Sequence, residues 1–362
     1  MTAPDAWMIC NHLFYLSSGK GKKILEQFDF SPEKFLASGE NTLREYCGEK
    51  IFDRYKKTNW EKWLSDVHLL KQEHQISSLS LDSEDYPLLL KEIYDPPLVL
   101  FYKGLPLRKD TEGLGMVGTR YPTEYGKILA HNYALNFSSA GFTIISGLAR
   151  GLDSEAHKGA LKGKGGTIAV LGCGLDYIYP RENTPLSREI LQNGTLLSEY
   201  APGIKPIPVH FPFRNRIISG LSRGILVVEA AEKSGSLITA HSALDQNRLV
   251  WAIPGRPKDK LSLGCNQLIQ MGAKMVLDPK DVLVDLGISE INPVCSSLFP
   301  ENPATKEEKQ ILEALNDEPL HIDSLCEKLT PLSPQSLALT LLNLEMKKSV
   351  KRLPGDFLIK IL

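Results

Sequence analysis

Cysteine is scarce and dispersed: Cys10, Cys47, Cys173, Cys265, Cys295 and Cys326 form no C-x-x-C pair, and no histidine stands at zinc-ligand spacing from them. Neither a disulfide framework nor a structural metal is expected from that distribution. Long apolar runs are missing too. No stretch of about 18 apolar residues occurs, and the N-terminus carries Asp5 where a leader would be basic and then apolar. A membrane span and a targeting segment are therefore not expected, and the reading is cytoplasmic. There is no G-x-x-x-x-G-K-[ST] loop, and no G-x-G-x-x-G opens a helix with an acidic partner about 20 residues on, so ATP and NAD are poor ligands and no cofactor is expected. No Ser-His-Asp order or nucleophile elbow can be assembled, which leaves no catalytic residues to name. Excess charge of one sign is also lacking, with 42 Lys and Arg against 43 Asp and Glu.

That near-zero total hides segregation. Residues 205–274 hold ten Lys and Arg against four Asp and Glu, a local +6, whereas residues 301–362 hold eight against ten, a local −2. A polyanion should therefore meet the middle of the chain. The length, with 42% apolar and 23% charged residues, suits two or three ordinary globular units. Three are expected: residues 1–80, 81–291 and 304–362.

Residues 1–80 read as short helices rich in Leu, Phe, Tyr and Trp, with Ser17-Ser18-Gly19-Lys20-Gly21 between two apolar segments. The pattern predicts a helix-hairpin-helix or SAM-like unit. Its glycines would suit a phosphate grip, but any tight helix–helix turn needs them as well, and the slightly acidic balance favours the plain turn. From residue 98 onward short apolar runs alternate with amphipathic ones, which predicts βα units and an extended Rossmann-like parallel sheet. Strands are expected at 98–101, 114–117, 142–145, 167–171, 195–197, 225–228, 249–253 and 274–277. Helices are expected at 123–139, 154–162, 186–192, 237–247 and 265–271. A Pro- and Ser-bearing linker at 292–303 then leads to three helices and a hairpin, the order of a winged helix. Its third helix, 334–345, has no Lys or Arg, so duplex groove reading is a poor role for it.

Open parallel sheets bind ligands beyond the carboxyl ends of their strands. Four glycine-bearing loops fall there: Gly118-Thr119-Arg120, Ser146-Gly147-Leu148-Ala149-Arg150-Gly151, Gly172-Cys173-Gly174 and Ser234-Gly235-Ser236. Glycine lets backbone N–H groups approach a phosphate, and a helix start behind each loop adds partial positive charge. The stretch from Phe211 to Arg223 interleaves aromatic and guanidinium groups, which suits the stacked bases and phosphates of a single strand. Asp153 and His157 stand one helical turn apart. They read first as an N-cap and a packed histidine rather than an acid–base pair.

Taken together, GTRYPTEYG (118–126), SGLARGLDSEAH (146–157), GCGLDYIYPREN (172–183), FRNRIISGLS (213–222) and EKSGSLITA (232–240) resemble the DprA (Smf) family over nearly the whole chain. The resemblance implies a protein that binds single-stranded DNA in a pocket of the Rossmann-like domain, loads the RecA recombinase during natural transformation and recombination, and forms a homodimer through that domain. Carried onto this sequence, it implies that Arg120 holds phosphate and that Ser146 and Gly147 belong to the same pocket. It maps the aromatic–arginine segment onto Phe213, Arg214, Asn215 and Arg216, with Lys205 and Lys233 as flanking cations. Two alternatives stay open. One is a Rossmann-like nucleotide-processing enzyme similar to the phosphoribohydrolases, although Ser234–Thr239 lacks the glutamate of that family's loop. The other is a transcription regulator acting through the winged helix.

Overall fold

Ile144 and Ile145 are adjacent in one strand, point to opposite faces, and enter different cores. The same alternation divides Leu226 and Val228 from Ile225 and Val227, and Trp251 from Val250 and Ala252. A strand whose successive side chains are both apolar must be covered on both faces, which is why these runs are continuous rather than alternating.

The computed structural model describes residues 2–288, 306–315, 319–329, 334–346 and 349–360. The chain divides into two compact units, residues 1–291 and 292–362; the expected linker lies outside the described residues. The first unit opens with α1 (Ala3–Phe14), α2 (Ser18–Glu26), α3 (Pro32–Leu36), α4 (Glu40–Cys47), α5 (Glu49–Lys57) and α6 (Trp60–Glu73). Thr2 and Asp5 close a capping box at the start of α1. There follow β1 (Ser77–Ser80), α7 (Leu88–Lys91), β2 (Val99–Gly104), β3 (Gly113–Val117), α8 (Glu124–Ser139), β4 (Thr143–Ser146), α9 (Leu152–Ala160), β5 (Thr167–Val170), α10 (Thr184–Asn193) and β6 (Gly194–Ser198). The unit ends with α11 (His210–Gly220), β7 (Gly224–Val227), α12 (Gly235–Asp245), β8 (Leu249–Ala252), α13 (Leu263–Gln270), β9 (Lys274–Met275) and α14 (Pro279–Asp285).

The sheet runs β1-β2-β6-β5-β4-β3-β7-β8-β9. From β6 to β9 every pairing is parallel, as expected of Rossmann-like βα units. Two strands depart from the all-parallel expectation: β2 pairs antiparallel with β6, and β1 antiparallel with β2. Strand β1 is Ser-Ser-Leu-Ser, exposed or half-buried along its length, so its composition carries no apolar signal. Trp7, Phe14 and Phe35 of the N-terminal helices share a core with Phe101, Val170 and Ile217. Residues 1–80, read from the sequence as a unit of their own, thus pack on the sheet.

The second unit holds α15 (Lys306–Ala314), β10 (Leu320–His321), α16 (Ile322–Lys328), α17 (Pro334–Met346), β11 (Val350–Leu353) and β12 (Phe357–Lys360), with strand order β10-β12-β11. Ile311, Leu325, Leu341 and Leu358 centre its core. This is the expected winged-helix order with one short extra strand. Among the described residues no helix is long and apolar enough to cross a membrane.

Candidate nucleic-acid interface

Strands β3 to β6 are laid down in one direction across the sheet and β7 to β9 in the other, so β3 and β7 are neighbours whose following loops diverge. A cleft of about 550 Å³ opens at that switch point. Gly118, Thr119, Arg120 and Tyr121 border it after β3; Ser234, Gly235 and Ser236 border it after β7. Helix α11 crosses its floor with Phe211, Arg214 and Asn215. A recess of about 100 Å³, lined by Arg120, Gly147, Arg150 and Tyr179, adjoins it. Gly118 is required by close approach, since a Cβ there would lie 2.2 Å from Leu152 Cδ1.

Two guanidinium groups face this space in different ways. Arg120 is exposed and has no hydrogen bond or ion pair among the described residues. Arg214 is 5% exposed; its Nη1 donates to the carbonyls of Gly147, at 2.7 Å, and Val170, and its Nε donates to Asn215 Oδ1. A Cβ at Gly147 would stand 2.5 Å from Arg214 Nη2, so only glycine lets the guanidinium lie against that loop. Burial lowers the Arg214 pKa, and the Asp153 carboxylate opposes the shift.

Asp153 departs from the expected N-cap. Gly151 precedes α9, and Asp153 sits in the first turn, where Oδ2 accepts from the N–H groups of Gly147 at 3.1 Å and Ala149 at 3.3 Å. Burial raises its pKa, against the pull of Arg214 and those two amides. The expected phosphate cradle at residues 146–151 is therefore filled at two amides by the protein's own carboxylate. Ser146 is fully buried and donates to Met116 O at 2.7 Å, so it does not reach the cleft. The start of α8 is occupied likewise: Glu229 accepts from Thr123 N at 3.0 Å and Thr123 Oγ1 at 2.5 Å. At Gly172-Cys173-Gly174, Gly172 packs under the Phe211 ring and leaves the cleft to it. Open to a ligand are the Gly118–Arg120 turn and the start of α12, where Ser234 Oγ accepts from Ser236 N and the space beside Gly235 is empty.

The structure redistributes the remaining candidates. Arg150 borders the recess but forms a bidentate pair with Glu182 at 2.5 and 2.7 Å. Lys205 and Lys233 are exposed and lie outside the cleft lining. Phe213 and Arg216 face the opposite side of α11, where they line a different groove. Arg216 is buried; its Nη2 donates to Glu199 Oε2 at 2.5 Å and Ser18 Oγ at 2.9 Å, and its Nε lies 2.9 Å from Asp95 Oδ2. Those partners leave its charge matched inside the fold. The aromatic residues that do face the cleft are Phe211, Tyr179 and Tyr121. Phe211 and Tyr179 rings lie 5.3 Å apart, and Tyr121 is 75% exposed. For Phe211 the signal was present in its spacing to Arg214, Asn215 and Ile218, the i, i+3, i+4, i+7 set of one helical face.

Other sequence features prove structural. His157 is buried against Thr167, Asp176 accepts from Gly203 N, and Asn183 Nδ2 donates to Leu148 O and Ser154 Oγ. Residues 17–21, read from the sequence as a turn, instead open α2: Ser17 stands at its N-cap position, and Gly19 and Gly21 lie in its first turns, where close approach of Tyr94 and Asp95 to one and of Phe14 and Leu98 to the other leaves no room for a side chain. Among the described residues no His, Cys, Asp and Glu cluster suits a metal ion.

Fold and cleft together define a Rossmann-like α/β protein, joined to a winged helix, whose switch point presents guanidinium groups beside exposed aromatic rings. Residues 77–287 match the family model of DNA recombination-mediator protein A, and residues 298–356 match the DprA winged helix domain. The chain belongs to the DprA/Smf family. It is 43% identical over 259 residues to DNA processing protein DprA of Streptococcus pneumoniae, covering 70% of this chain and 91% of that one, and 46% identical over 216 residues to the Bacillus subtilis protein, covering 59% and 73%. The X-ray structure of the Streptococcus pneumoniae protein aligns with a TM-score of 0.68 at 37% identity, over 79% of this chain and 99% of that one. DNA processing protein A of Helicobacter pylori, whose structure was described for its single-stranded DNA binding mode, aligns with a TM-score of 0.53 at 33% identity, over 59% and 95%.

Proposed function

We propose that this chain binds single-stranded DNA in the switch-point cleft and holds it without turnover. Phosphates would lie on Arg120 and the open edge of the Arg214 guanidinium, with the start of α12 adding partial positive charge. Bases would stack on Phe211, Tyr179 and Tyr121, because a single strand exposes π faces that a duplex hides. The observation that carries this reading is the meeting of Arg120, Arg214 and the Phe211–Tyr179 pair in one cleft. The family resemblance extends it to loading of the RecA recombinase in transformation and recombination, in the cytoplasm. It also extends it to a homodimer, which would present two clefts and bind one long strand with added avidity. Exposed Met271, Met275 and Leu277 at the β9 edge supply an apolar surface for such pairing.

The test is fluorescence anisotropy of a labelled oligonucleotide across a salt series, with unlabelled single-stranded and duplex competitors. The single strand should compete better, and Arg120→Ala should weaken binding and flatten the slope of log K against log salt by about 0.7, one phosphate contact on a single strand. Unchanged binding by a folded Arg120→Ala protein would remove the proposal.

A further inference from the structure

Of the ten Lys and Arg in residues 205–274, five are spent inside the fold. Arg214 and Arg248 donate to backbone carbonyls, and Arg216, Arg223 and Lys274 pair with carboxylates. The other five, Lys205, Lys233, Arg256, Lys258 and Lys260, are exposed and have no hydrogen bond or ion pair among the described residues. Three of those five stand within residues 256–260, in the loop between β8 and α13, where Asp259 is the one opposing charge. The loop is held in shape from both ends. Asn266 Nδ2 donates to Gly255 O at 3.0 Å, and Asn266 Oδ1 accepts from Gly255 N at 3.2 Å. A Cβ at Gly255 would stand 2.1 Å from Ser262 Oγ, so the ends of the loop meet there. Between them Asp259 N donates to Arg256 O and Ser262 N to Asp259 O, which makes two successive turns. The cations thus project from an ordered backbone, which lowers the entropy cost of engaging them.

Strand β8 runs parallel beside β7, so the loops that follow them leave the same edge of the sheet. They are also joined, since Ala230 N donates to Leu261 O at 2.7 Å and Gly264 N to Ala230 O at 2.9 Å. The next residue, Ala231, lines the cleft, and Lys233 follows it just before Ser234, another lining residue. A cleft of about 550 Å³ has the volume of one small-molecule site, so a longer strand has to leave it. Toward β4 the loop amides are taken by Asp153 and the Arg150 guanidinium by Glu182, whereas toward β8 the cations are free. We infer that single-stranded DNA leaving the cleft passes Lys233 onto the β8–α13 loop, where Arg256, Lys258 and Lys260 hold its phosphates as a second subsite. Residues 254–262 contain no aromatic ring, so this subsite grips the backbone and is indifferent to the base. The inference rests on the cleft reading above.

The test is anisotropy of labelled oligothymidylates of about 4 and about 16 nucleotides with full-length protein across a salt series. The combined Arg256→Gln, Lys258→Gln and Lys260→Gln protein should bind the short strand within about twofold of the unsubstituted chain. It should lose about tenfold or more on the long strand at about 0.1 M salt, with the slope of log K against log salt flatter by about 2, three contacts on a single strand. The charge-keeping Arg256→Lys, Lys258→Arg and Lys260→Arg protein should retain both. A long strand whose affinity and slope survive the glutamine protein, but which Arg120→Ala weakens, overturns the subsite and leaves the cleft standing. Equal losses at both lengths overturn it too, because the charge would then act as a diffuse field and not along a path. Binding that needs the loop and ignores Arg120→Ala removes the cleft, and with it the path that starts there. An octaglutamate peptide that loses its binding to the glutamine protein, while the long strand keeps its own, would assign the loop to an acidic protein segment and likewise overturn the inference.

Discussion

His157 has no accessible surface, and its Nδ1 lies 2.7 Å from Thr167 Oγ1. That hydroxyl donates its proton to Ile144 O at 2.6 Å, so Nδ1 must be the donor and Nε2, which has no partner, stays bare. A second proton would need an acceptor that the core does not provide. Burial, with Arg214 adding to it, lowers the pKa to about 3. The unfolded chain takes up this proton first, near pH 6.5, so stability is full above that pH and is lost as pH falls toward 3. The loss approaches about 1.4 kcal/mol per pH unit, or about 2 kcal/mol at pH 5. Burial also lowers His12, to about 4, with the same sign. Urea unfolding at pH 7.5 and pH 5 should show this dependence, and a folded His157→Gln protein should lose a share of it. Arg216 is buried as well, but there the Glu199 and Asp95 carboxylates outweigh desolvation and raise its pKa. Removing it strands Glu199 in the core, so Arg216→Ala should cost about 3–5 kcal/mol of stability, read by denaturant midpoint, with no change in salt slope where the protein is still folded. The glycine turns were legible in the sequence as turns. Which of their amides stay free was not, because Asp153 and Glu229 reach them only once the helices are packed.

Helix α11 is where sequence reading and structure part most clearly. Its second and third residues are Phe211 and Pro212, and the interleaved aromatic and basic residues after them look like a polar strip rather than an amphipathic period. Proline is tolerated there because the first four N–H groups of a helix have no internal partner. Once the segment is helical, residues 211 and 213 are about 200° apart, and the two phenylalanines cannot serve one ligand. The long βα elements were legible because their apolar runs are dense, whereas β1 and β2 join the sheet antiparallel through backbone pairing that composition does not record. The helical assignment yields a paired expectation. Phe211→Ala should lower oligonucleotide affinity about tenfold, the loss of one stacking partner, and Phe213→Ala should leave it within about twofold. Anisotropy of the same labelled strand reads both, and the reverse order would mean that the strand runs on the far face of α11.

At the scale of the whole molecule, the segregated charge and the two-unit division bear on one question, which is where the affinity resides. The cleft cations Arg120 and Arg214 belong to the first unit, inside the +6 segment or facing it, while residues 301–362 carry a net −2. Within the second unit, α17 has no Lys or Arg from Pro334 to Glu345 and exposes Leu339 and Leu342 instead. Phosphate binding draws its free energy from counterion release by cations, and an uncharged helix face contributes little of it. The first unit closes its own cores, with the N-terminal helices and both faces of the sheet packed within residues 1–291. A fragment of those residues should therefore fold, bind a short oligonucleotide within about twofold of the full chain, and keep the same salt slope. A folded fragment that lost tenfold in affinity or a unit of slope would move part of the binding surface onto the winged helix, through its exposed Lys351 and Arg352 on β11, and the single-cleft account would fail.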